Sequence, residues 1–455
     1  MLRNNETVET KLQRIAAKAS RDPKCRFTSL FHLVNVELLR SCFLKLRKDA
    51  AAGIDQVTKT EYGTHLEENL TKLVGRLHRM AYIPQPVRRV FIPKPGSNKH
   101  RPLGIPALED KLVQAGLTRI LTVIYESDFI DDSYGFRPNR GCHDALRTLS
   151  LTVENGHVNH IVDADIKGFF DNVDHEWMKR FLEHRIADNR VVRYIVRFLK
   201  AGVMNEGVIE ESDTGTPQGG IISPILANIY LHYSLDLWFC KVFQKTCYGY
   251  SKLIRYADDF VVCFQQETDA KRFHKELEGR LAKFGLEVSP EKTKVIEFGP
   301  LAAIKAGRRG NKPDSFDFLG FTHYCSRTRD GRRFRMKRTT SRKKFSAAIR
   351  KFKDWLKENR TLPTPDLMAK VSVRLQGHYA YYGVTDNSNG ITRYAYEARN
   401  LLFKWLNRRG NRGRMNWEKF NRLLERFPLP KPQIRVSMWR QRVKPEPYMQ
   451  MYLFA

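Results

Sequence analysis

Two adjacent carboxylates inside a strand-forming segment constrain this chain more than any other feature. Asp258 and Asp259 lie between the apolar strand former Ile254 and the apolar run 261–264. Neighbouring side chains on a strand point to opposite faces, so both carboxylates can serve one target only where the backbone turns, as at a hairpin tip. Carboxylates at such a tip suit Mg²⁺ or Mn²⁺, and two such ions roughly 4 Å apart can hold the attacking and leaving oxygens of a phosphoryl transfer. The segment predicts a metal-binding hairpin, and a solvated Asp-Asp turn is the alternative.

A third carboxylate lies upstream, in a strand-like segment over residues 161–166. Apolar residues alternate there with Asp163 and Asp165, which predicts a half-buried strand with its acids on one face. Such a strand could lie beside the hairpin and bring Asp165 together with Asp258 and Asp259 around a metal pair. Spacing does not choose between Asp163 and Asp165, and a solvated edge strand is the alternative structure.

The charge of the chain is unevenly distributed. Its 80 Lys and Arg against 49 Asp and Glu give a net charge of +31. Residues 1–300 hold 44 basic and 38 acidic side chains, whereas residues 301–455 hold 36 and 11, an excess of +25. A basic surface of this size implies a polyanionic partner, so the C-terminal third is expected to bind nucleic acid.

A helical pattern follows within this basic third. Four apolar residues recur at the spacing of one helix face: Phe345, Ile349, Phe352 and Leu356. The other faces are basic and include three residues that we expect to bind RNA: Arg350, Lys353 and Lys357. A merely solvated charged face is the alternative.

The remaining composition excludes several classes of protein. The seven cysteines form no C-x-x-C pair, so neither a zinc site nor a disulfide framework is predicted. The N-terminus lacks an apolar signal core, and no uninterrupted apolar run reaches roughly 18 residues. We therefore expect a soluble, cytoplasmic protein, located in the bacterial cytoplasm or nucleoid. No membrane partner is expected.

Eight short blocks occur in order over about 270 residues. They are DAAAGID at 49–55, FIPKP at 91–95 with KHRPLGIP at 99–106, SYGFRP at 133–138, the Asp165 strand, GTPQGG at 215–220 followed by SP at 223–224 and LAN at 226–228, the Asp258–Asp259 hairpin, SPEKT at 289–293, and FDFLGF at 316–321. In this order the blocks resemble those of the reverse transcriptases encoded by group II introns.

The resemblance implies catalytic roles for named residues. It places the metal ligands at Asp165, Asp258 and Asp259, with Ile166 as a further metal position. Lys292 matches a lysine that protonates the pyrophosphate leaving group, a general-acid task.

The resemblance also implies how substrates are held. Lys94 and Arg101 correspond to cations that grip the incoming triphosphate, and Gln218 corresponds to a residue beside the nucleotide sugar. Phe170 stands where a bulky ring crowds the ribose 2′-OH and so selects dNTPs. Leu319–Gly320 resembles the primer grip. Solvated bases and a core phenylalanine are the alternatives.

The implied fold is α+β, a right-hand polymerase whose palm is an antiparallel sheet backed by helices. We expect an N-terminal extension with the first fingers block over 1–86, fingers over 87–160 and palm over 161–325. A helical thumb is expected over 326–410, followed by a short basic DNA-binding-like region over 411–455. The HYAYY segment at 378–382 resembles the thumb signature and is expected to form aromatic core.

The implied function is RNA-directed DNA synthesis with Mg²⁺ or Mn²⁺, together with help in intron splicing and retromobility as a maturase. Its partners would be dNTPs, intron RNA or another RNA template, and a DNA primer or target, with no stable protein partner evident. The chain has no Cys- and His-rich HNH endonuclease region, so second-strand cleavage is not expected. A free-standing reverse transcriptase with a host role and a splicing-only maturase are the alternatives. All three aspartates are present, which argues against the second, and Phe170 argues against an RNA-templated RNA polymerase.

Overall fold

The computed structural model describes residues 6–93, 100–155, 157–205, 208–210, 214–216, 219–328, 330–409 and 415–439. The chain begins with four helices, α1 (Val8–Arg21), α2 (Val36–Lys45), α3 (Lys59–Gly63) and α4 (Leu66–His78). A hairpin of β1 (Val87–Pro93) and β2 (His100–Ile105) follows, and then α5 (Leu108–Tyr125). Helix α5 is buried on most of its sides, because α1, α2 and α9 pack against it.

The next segments build the centre of the molecule. They are α6 (Cys142–Glu154), β3 (His160–Lys167), α7 (His175–Glu183), α8 (Asn189–Leu199), β4 (Val203–Asn205), β5 (Val208–Glu210) and α9 (Ser223–Leu231). Strand β4 lies parallel to β1, so the sheet of the first hairpin has the order β2-β1-β4-β5. Two π-helical segments continue α9, at His232–Asp236 and Phe239–Phe243.

The central sheet is antiparallel and contains β3. Its other members are β6 (Ser251–Tyr256), β7 (Asp259–Phe264), β8 (Glu287–Val288) and β9 (Lys294–Glu297), with α10 (Glu267–Ala282) between β7 and β8. The strand order is β6-β7-β3-β8, and β9 also pairs with β3. One face of β3 carries Val162 and Ala164 into the core formed with the surrounding helices, and Ile161 on the other face packs into a second core with α6. The expected palm sheet backed by helices is confirmed.

A smaller sheet and a helical bundle complete the described chain. Helix α11 (Pro300–Arg308) leads into β10 (Ser315–Phe318), β11 (Phe321–Arg327) and β12 (Phe334–Thr340). The bundle consists of α12 (Arg342–Asn359), α13 (Thr364–Tyr382), α14 (Ser388–Leu406) and α15 (Trp417–Arg426). The predicted apolar stripe of α12 faces this bundle, since Phe352 and Leu356 are buried in its core and Phe345 and Ile349 pack against it.

The segment after α15 returns to the base of the bundle. Val436 pairs with Val384, and Met438 is fully buried in the core that contains α6. The Arg147 guanidinium on α6 donates to the Ser437 carbonyl oxygen at 3.3 Å. The end of the described chain thus ties the bundle to the central sheet. No helix in the described ranges has the length and hydropathy needed to cross a bilayer.

Candidate active site

The Asp258–Asp259 segment forms the tip of a hairpin, as the sequence predicts. Tyr256 pairs with Asp259 across β6 and β7, which leaves Ala257 and Asp258 as a two-residue turn. Ala257 has φ of +56°, a conformation uncommon for residues other than glycine. The turn brings two consecutive carboxylates to the end of one strand pair.

Strand register brings Asp165 to the hairpin. On β3 and β7, Asp165 lies directly opposite Asp259, whereas Asp163 lies opposite Val261, two residues farther from the tip. Directly opposed residues of an antiparallel pair have Cα atoms about 4.5–5.5 Å apart. The structure therefore groups Asp165 with Asp259 and the turn, and it places Asp163 on the same face but farther down the strand.

The acidic cluster is electrostatically strained. Burial raises the pKa of Asp259 to about 7, with the charges of Asp258 and Asp165 adding to the shift, and the Leu319 backbone amide opposes it. Burial likewise raises the pKa of Asp163 to about 7, with further contributions from Asp259 and Asp165. A bound cation would relieve this repulsion and hold the carboxylates ionised at neutral pH.

These residues fit a divalent cation by donor chemistry and by charge. Carboxylate oxygens are the ligands that hard cations prefer. In the described ranges, however, no three His, Cys, Asp or Glu side chains are already grouped to hold a metal ion. One of the acids is instead engaged by a lysine, since Lys292 Nζ lies 2.6 Å from the Asp165 carboxylate. Ile166 has a buried, apolar side chain, so only its main-chain carbonyl could serve as a ligand.

Lys292 belongs to a turn that rests on the acidic strand. The Ser289 amide donates to the Asp165 carbonyl oxygen at 2.8 Å, and the Thr293 amide donates back to Ser289 at 3.0 Å. The turn thereby fixes the backbone on both sides of Lys292. Its side chain is 65% exposed, and its ammonium group lies at the edge of the acidic cluster.

Phe170 lies in a short 3₁₀ turn immediately after β3. Its neighbour Phe169 is buried, whereas Phe170 is only partly buried and packs at the edge of the core. The Thr216 amide donates to the Phe170 carbonyl oxygen at 2.7 Å. A Cβ on Gly215, which has φ of +91°, would lie 3.0 Å from the Asp171 carbonyl oxygen and 3.1 Å from that of Phe170. The GTPQGG block and Phe170 are therefore in direct contact.

The GTPQGG block also reaches the first hairpin. A Cβ on Gly219 would lie 2.5 Å from the Gly104 carbonyl oxygen on β2, so only glycine permits this approach. Lys94 and Gln218, two of the residues predicted to bind dNTP, lie outside the described residues. Arg101 is described by its backbone alone, which pairs with Ile92.

Leu319 and Gly320 form the turn between β10 and β11, with φ of +49° and +81°. The turn lies at the acidic cluster, since the Leu319 backbone amide lowers the pKa of Asp259. The Tyr381 hydroxyl donates to the Leu319 carbonyl oxygen at 2.9 Å, and a Cβ on Gly320 would lie 3.3 Å from the Tyr382 hydroxyl. Sequence patterns assigned both tyrosines to aromatic core, and their contacts with this turn were not foreseen.

The three basic side chains predicted to bind RNA lie on the exposed side of α12. Two of them, Arg350 and Lys353, line a cleft of about 980 Å³ between α12, α14 and the β11–β12 hairpin. Two further arginines, Arg342 and Arg393, line the same cleft. Lys357 is exposed on the same helix, one turn beyond Lys353. The cleft offers several cations to one polyanion.

Three buried polar residues behind the hairpin were missed: Asn228, Asp236 and Arg255. They form a hydrogen-bonded network with the hairpin turn. A charged residue inside the apolar strand 253–256 was the available signal, because buried charges are rare unless paired. Its partner lies 19 residues earlier in the chain, beyond the reach of strand periodicity.

An antiparallel palm that sets Asp165 opposite Asp259 beside the Asp258 turn, flanked by a strand hairpin and a helical bundle, has the architecture of a right-hand nucleic-acid polymerase. Residues 92–323 match the family described as reverse transcriptase (RNA-dependent DNA polymerase), and the chain belongs to that family. Membership implies divalent metal ions, an RNA template and DNA binding.

Individual relatives extend this assignment. The chain is 40% identical over 235 residues to the group II intron-encoded protein LtrA of Lactococcus lactis subsp. cremoris. The alignment covers 51% of this chain and 39% of LtrA. It is 31% identical over 355 residues to protein YkfC of Escherichia coli (strain K12), covering 70% of this chain and 89% of that protein. The putative COX1/OXI3 intron 2 protein of Saccharomyces cerevisiae is 33% identical over 177 residues, 39% of this chain and 20% of its own length. The aligned region thus spans about two fifths of LtrA.

Proposed function

We propose that this protein is a group II intron-type reverse transcriptase that copies RNA into cDNA. The observation that carries the proposal is the register that sets Asp165 opposite Asp259 beside the Asp258 turn. In the reaction the 3′-oxygen of a primer attacks the α-phosphate of a dNTP, loses its proton, and displaces pyrophosphate. Family membership and the relation to LtrA support this chemistry.

Each side chain has a proposed part. Asp165, Asp258 and Asp259, with the Ile166 carbonyl, would hold two Mg²⁺ ions, or Mn²⁺, which supply charge stabilisation to the transferring phosphoryl group. Lys292 at the edge of the cluster would give a proton to the departing pyrophosphate.

Substrate binding is proposed for the surrounding elements. Lys94, Arg101 and Gln218 would bind the dNTP, and Phe170 would exclude a ribose 2′-OH. The Leu319–Gly320 turn would hold the primer end beside Asp259.

We further propose that the basic cleft on α12 binds structured RNA and supports maturase activity. The excess of +25 in residues 301–455 supports a wide phosphate-binding surface. All seven cysteines are free thiols, as expected of a protein that functions in the reducing cytoplasm.

The direct test is primer extension with purified protein on an RNA template annealed to a DNA primer. We expect Mg²⁺- or Mn²⁺-dependent cDNA synthesis from dNTPs that a chelator abolishes. A folded protein that binds intron RNA but extends no primer with either metal would instead be a splicing-only maturase. Extension without any preference for binding intron RNA would point to a free-standing reverse transcriptase.

A further inference from the structure

A completely buried ion pair lies directly behind the catalytic hairpin. Arg255, on the strand that enters the hairpin, and Asp236, in the π-helical segment His232–Asp236, have fully buried side chains. The guanidinium forks onto the carboxylate, with Nε to Oδ1 at 2.8 Å and Nη2 to Oδ2 at 2.6 Å. His232 Nδ1 lies 4.0 Å from Asp236, but burial lowers the His232 pKa to about 4, so at neutral pH its ring carries no charge toward the carboxylate.

Burial of such a pair is not explained by stability alone. Two desolvated charges are often no better for stability than well-packed apolar side chains of the same volume. Their advantage is a fixed geometry, because a planar fork on a carboxylate defines both distance and direction. The contacts of Nη1, the remaining guanidinium nitrogen of Arg255, therefore indicate which part of the structure the ion pair positions.

This nitrogen is hydrogen-bonded to the hairpin turn. Arg255 Nη1 donates to the Ala257 carbonyl oxygen at 2.9 Å and to Asn228 Oδ1 at 3.1 Å. The Ala257 carbonyl belongs to the peptide bond that leads into Asp258. Ala257 is also the turn residue with φ of +56°, so the hydrogen bond fixes a strained peptide.

The opposite side of the turn is closed by Gly135 in the SYGFRP block. A Cβ on Gly135 would lie 2.4 Å from the Ala257 amide nitrogen, so the two backbones are in direct contact. The Asn228 side-chain amide donates to the Gly135 carbonyl oxygen at 2.7 Å. Asn228 thus joins the guanidinium on one side of the turn to the backbone on the other.

We infer that Arg255, braced by Asp236 and Asn228, is a positioning residue that fixes Asp258 and Asp259 relative to Asp165 and thereby sets the metal-binding geometry. The inference rests on the proposed polymerase function. Arg255 touches no reacting group and acts through the peptide bond between Ala257 and Asp258. Small displacements of such a constellation cost far more in rate than in stability.

The test compares Arg255→Lys with Arg185→Lys in the full-length protein. Arg185 is a matched control because it is also buried, lies 3.3 Å from Asp128 and donates to backbone carbonyls, including Ala19 at 3.2 Å. Among the described residues it makes no hydrogen bond or ion pair to the hairpin. Lysine keeps the charge at both sites. At Arg255 it loses the fork onto Asp236, and at Arg185 it loses the hydrogen bonds from the two terminal nitrogens to backbone carbonyls. Melting temperature, Mn²⁺ binding by electron paramagnetic resonance, primer-template affinity without metal, and kcat and KM for dNTP are measured for each.

We expect both variants to lose similar thermal stability and to keep primer-template affinity. Arg255→Lys should weaken Mn²⁺ binding by about tenfold or more and lower kcat by about tenfold or more relative to Arg185→Lys. Asn228→Ala, which removes the brace without changing charge, should shift both quantities in the same direction and guards against misfolding of the first variant.

Metal affinity and kcat that match the Arg185→Lys control in both Arg255→Lys and Asn228→Ala would overturn the inference. A wild-type protein that binds Mn²⁺ but extends no primer would count against the proposed function instead. In that case the difference in Mn²⁺ affinity between the variants still decides whether the network positions the carboxylates.

Discussion

At the scale of single residues, the register of β3 against β7 decides which acids meet. Asp163 and Asp165 share one face, but only Asp165 is opposite Asp259. Burial raises the pKa of Asp163 to about 7. At neutral pH, in the absence of a cation, a substantial fraction of the molecules therefore carry a protonated Asp163. Asp165 forms a 2.6 Å ion pair with Lys292, which belongs to the SPEKT block that lies over the same strand.

Phe170 carries a prediction about sugar selection. If its partly buried ring crowds the 2′ position of the incoming nucleotide, Phe170→Ala relieves a clash that only an rNTP suffers. We expect the ratio of rNTP to dNTP incorporation to rise by roughly tenfold or more. Primer extension with each nucleotide set measures it, and an unchanged ratio in an active variant would assign Phe170 to the core.

Gly135 carries a prediction about backbone contact. Gly135→Ala places a Cβ 2.4 Å from the Ala257 amide nitrogen, and neither backbone can move without shifting the hairpin. We expect a loss of about 1–3 kcal/mol in the free energy of unfolding and at least about a tenfold loss in extension rate.

The matched control for Gly135→Ala is Gly279→Ala on α10. A Cβ there would meet no described heavy atom within 4 Å beyond the adjacent residues and the backbone of its own helix. Removing a glycine from an exposed helix should stabilise the protein by about 0.5–1 kcal/mol. Full activity of Gly135→Ala would show that the two backbones are not held in contact.

At the scale of elements, two hairpin turns meet at the acidic cluster. The β6–β7 turn supplies Asp258 and Asp259, and the β10–β11 turn supplies the Leu319 amide that acts on Asp259. Both turns contain a residue other than glycine with positive φ, Ala257 and Leu319. Helix α13 is fastened to the second turn through Tyr381, so the position of the helical bundle is coupled to the site.

Tyr381→Phe tests that coupling. Removal of the hydroxyl leaves the Leu319 carbonyl oxygen without its 2.9 Å donor, which should cost about 1 kcal/mol and raise KM for the primer-template. Tyr379→Phe is the control, because the buried Tyr379 hydroxyl has no hydrogen-bond partner among the described residues and its removal should be neutral or stabilising. Equal behaviour of the two variants in melting and in KM would argue against the coupling.

Local patterns predicted the elements that periodicity and turns define. The hairpin at Asp258–Asp259, the acidic strand β3 and the apolar stripe of α12 were all predictable, since each depends on neighbours within a few residues. The ion pair of Arg255 with Asp236 was not, because a π-helical segment sets which face of the chain Asp236 occupies. The return of Val436 and Met438 to the base of the bundle was also missed, because no local pattern encodes long-range packing.

At the scale of the whole molecule, charge separates the palm from the bundle. Residues 1–300 carry an excess of +6 and residues 301–455 an excess of +25. The basic cleft between α12 and α14 lies in the second region. The smaller sheet β10–β12 joins the two, and its first turn reaches the acidic cluster.

This asymmetry predicts a strong salt dependence of RNA binding. The slope of log affinity against log salt should be roughly −0.7 to −0.9 per phosphate contacted. Charge reversal at Arg350, Lys353 and Lys357 should flatten the slope and impair splicing assistance more than extension on a saturating short primer-template. An equal reversal at three exposed lysines of the palm side serves as control: Lys179, Lys275 and Lys283. A wild-type slope in the first variant would show that the RNA is bound elsewhere.

The polymerase site as a whole is tested most directly by exchanging each acid of β3 for its neutral isostere. Single-turnover extension is measured on an RNA template for Asp165→Asn and Asp163→Asn, with RNA affinity measured in parallel without metal. Asp165→Asn should lower the rate by about a hundredfold or more with RNA affinity nearly unchanged, whereas Asp163→Asn should keep most of the rate. Near-normal extension by Asp165→Asn, or equal damage from both changes, would contradict the assignment of Asp165 as the partner of Asp258 and Asp259.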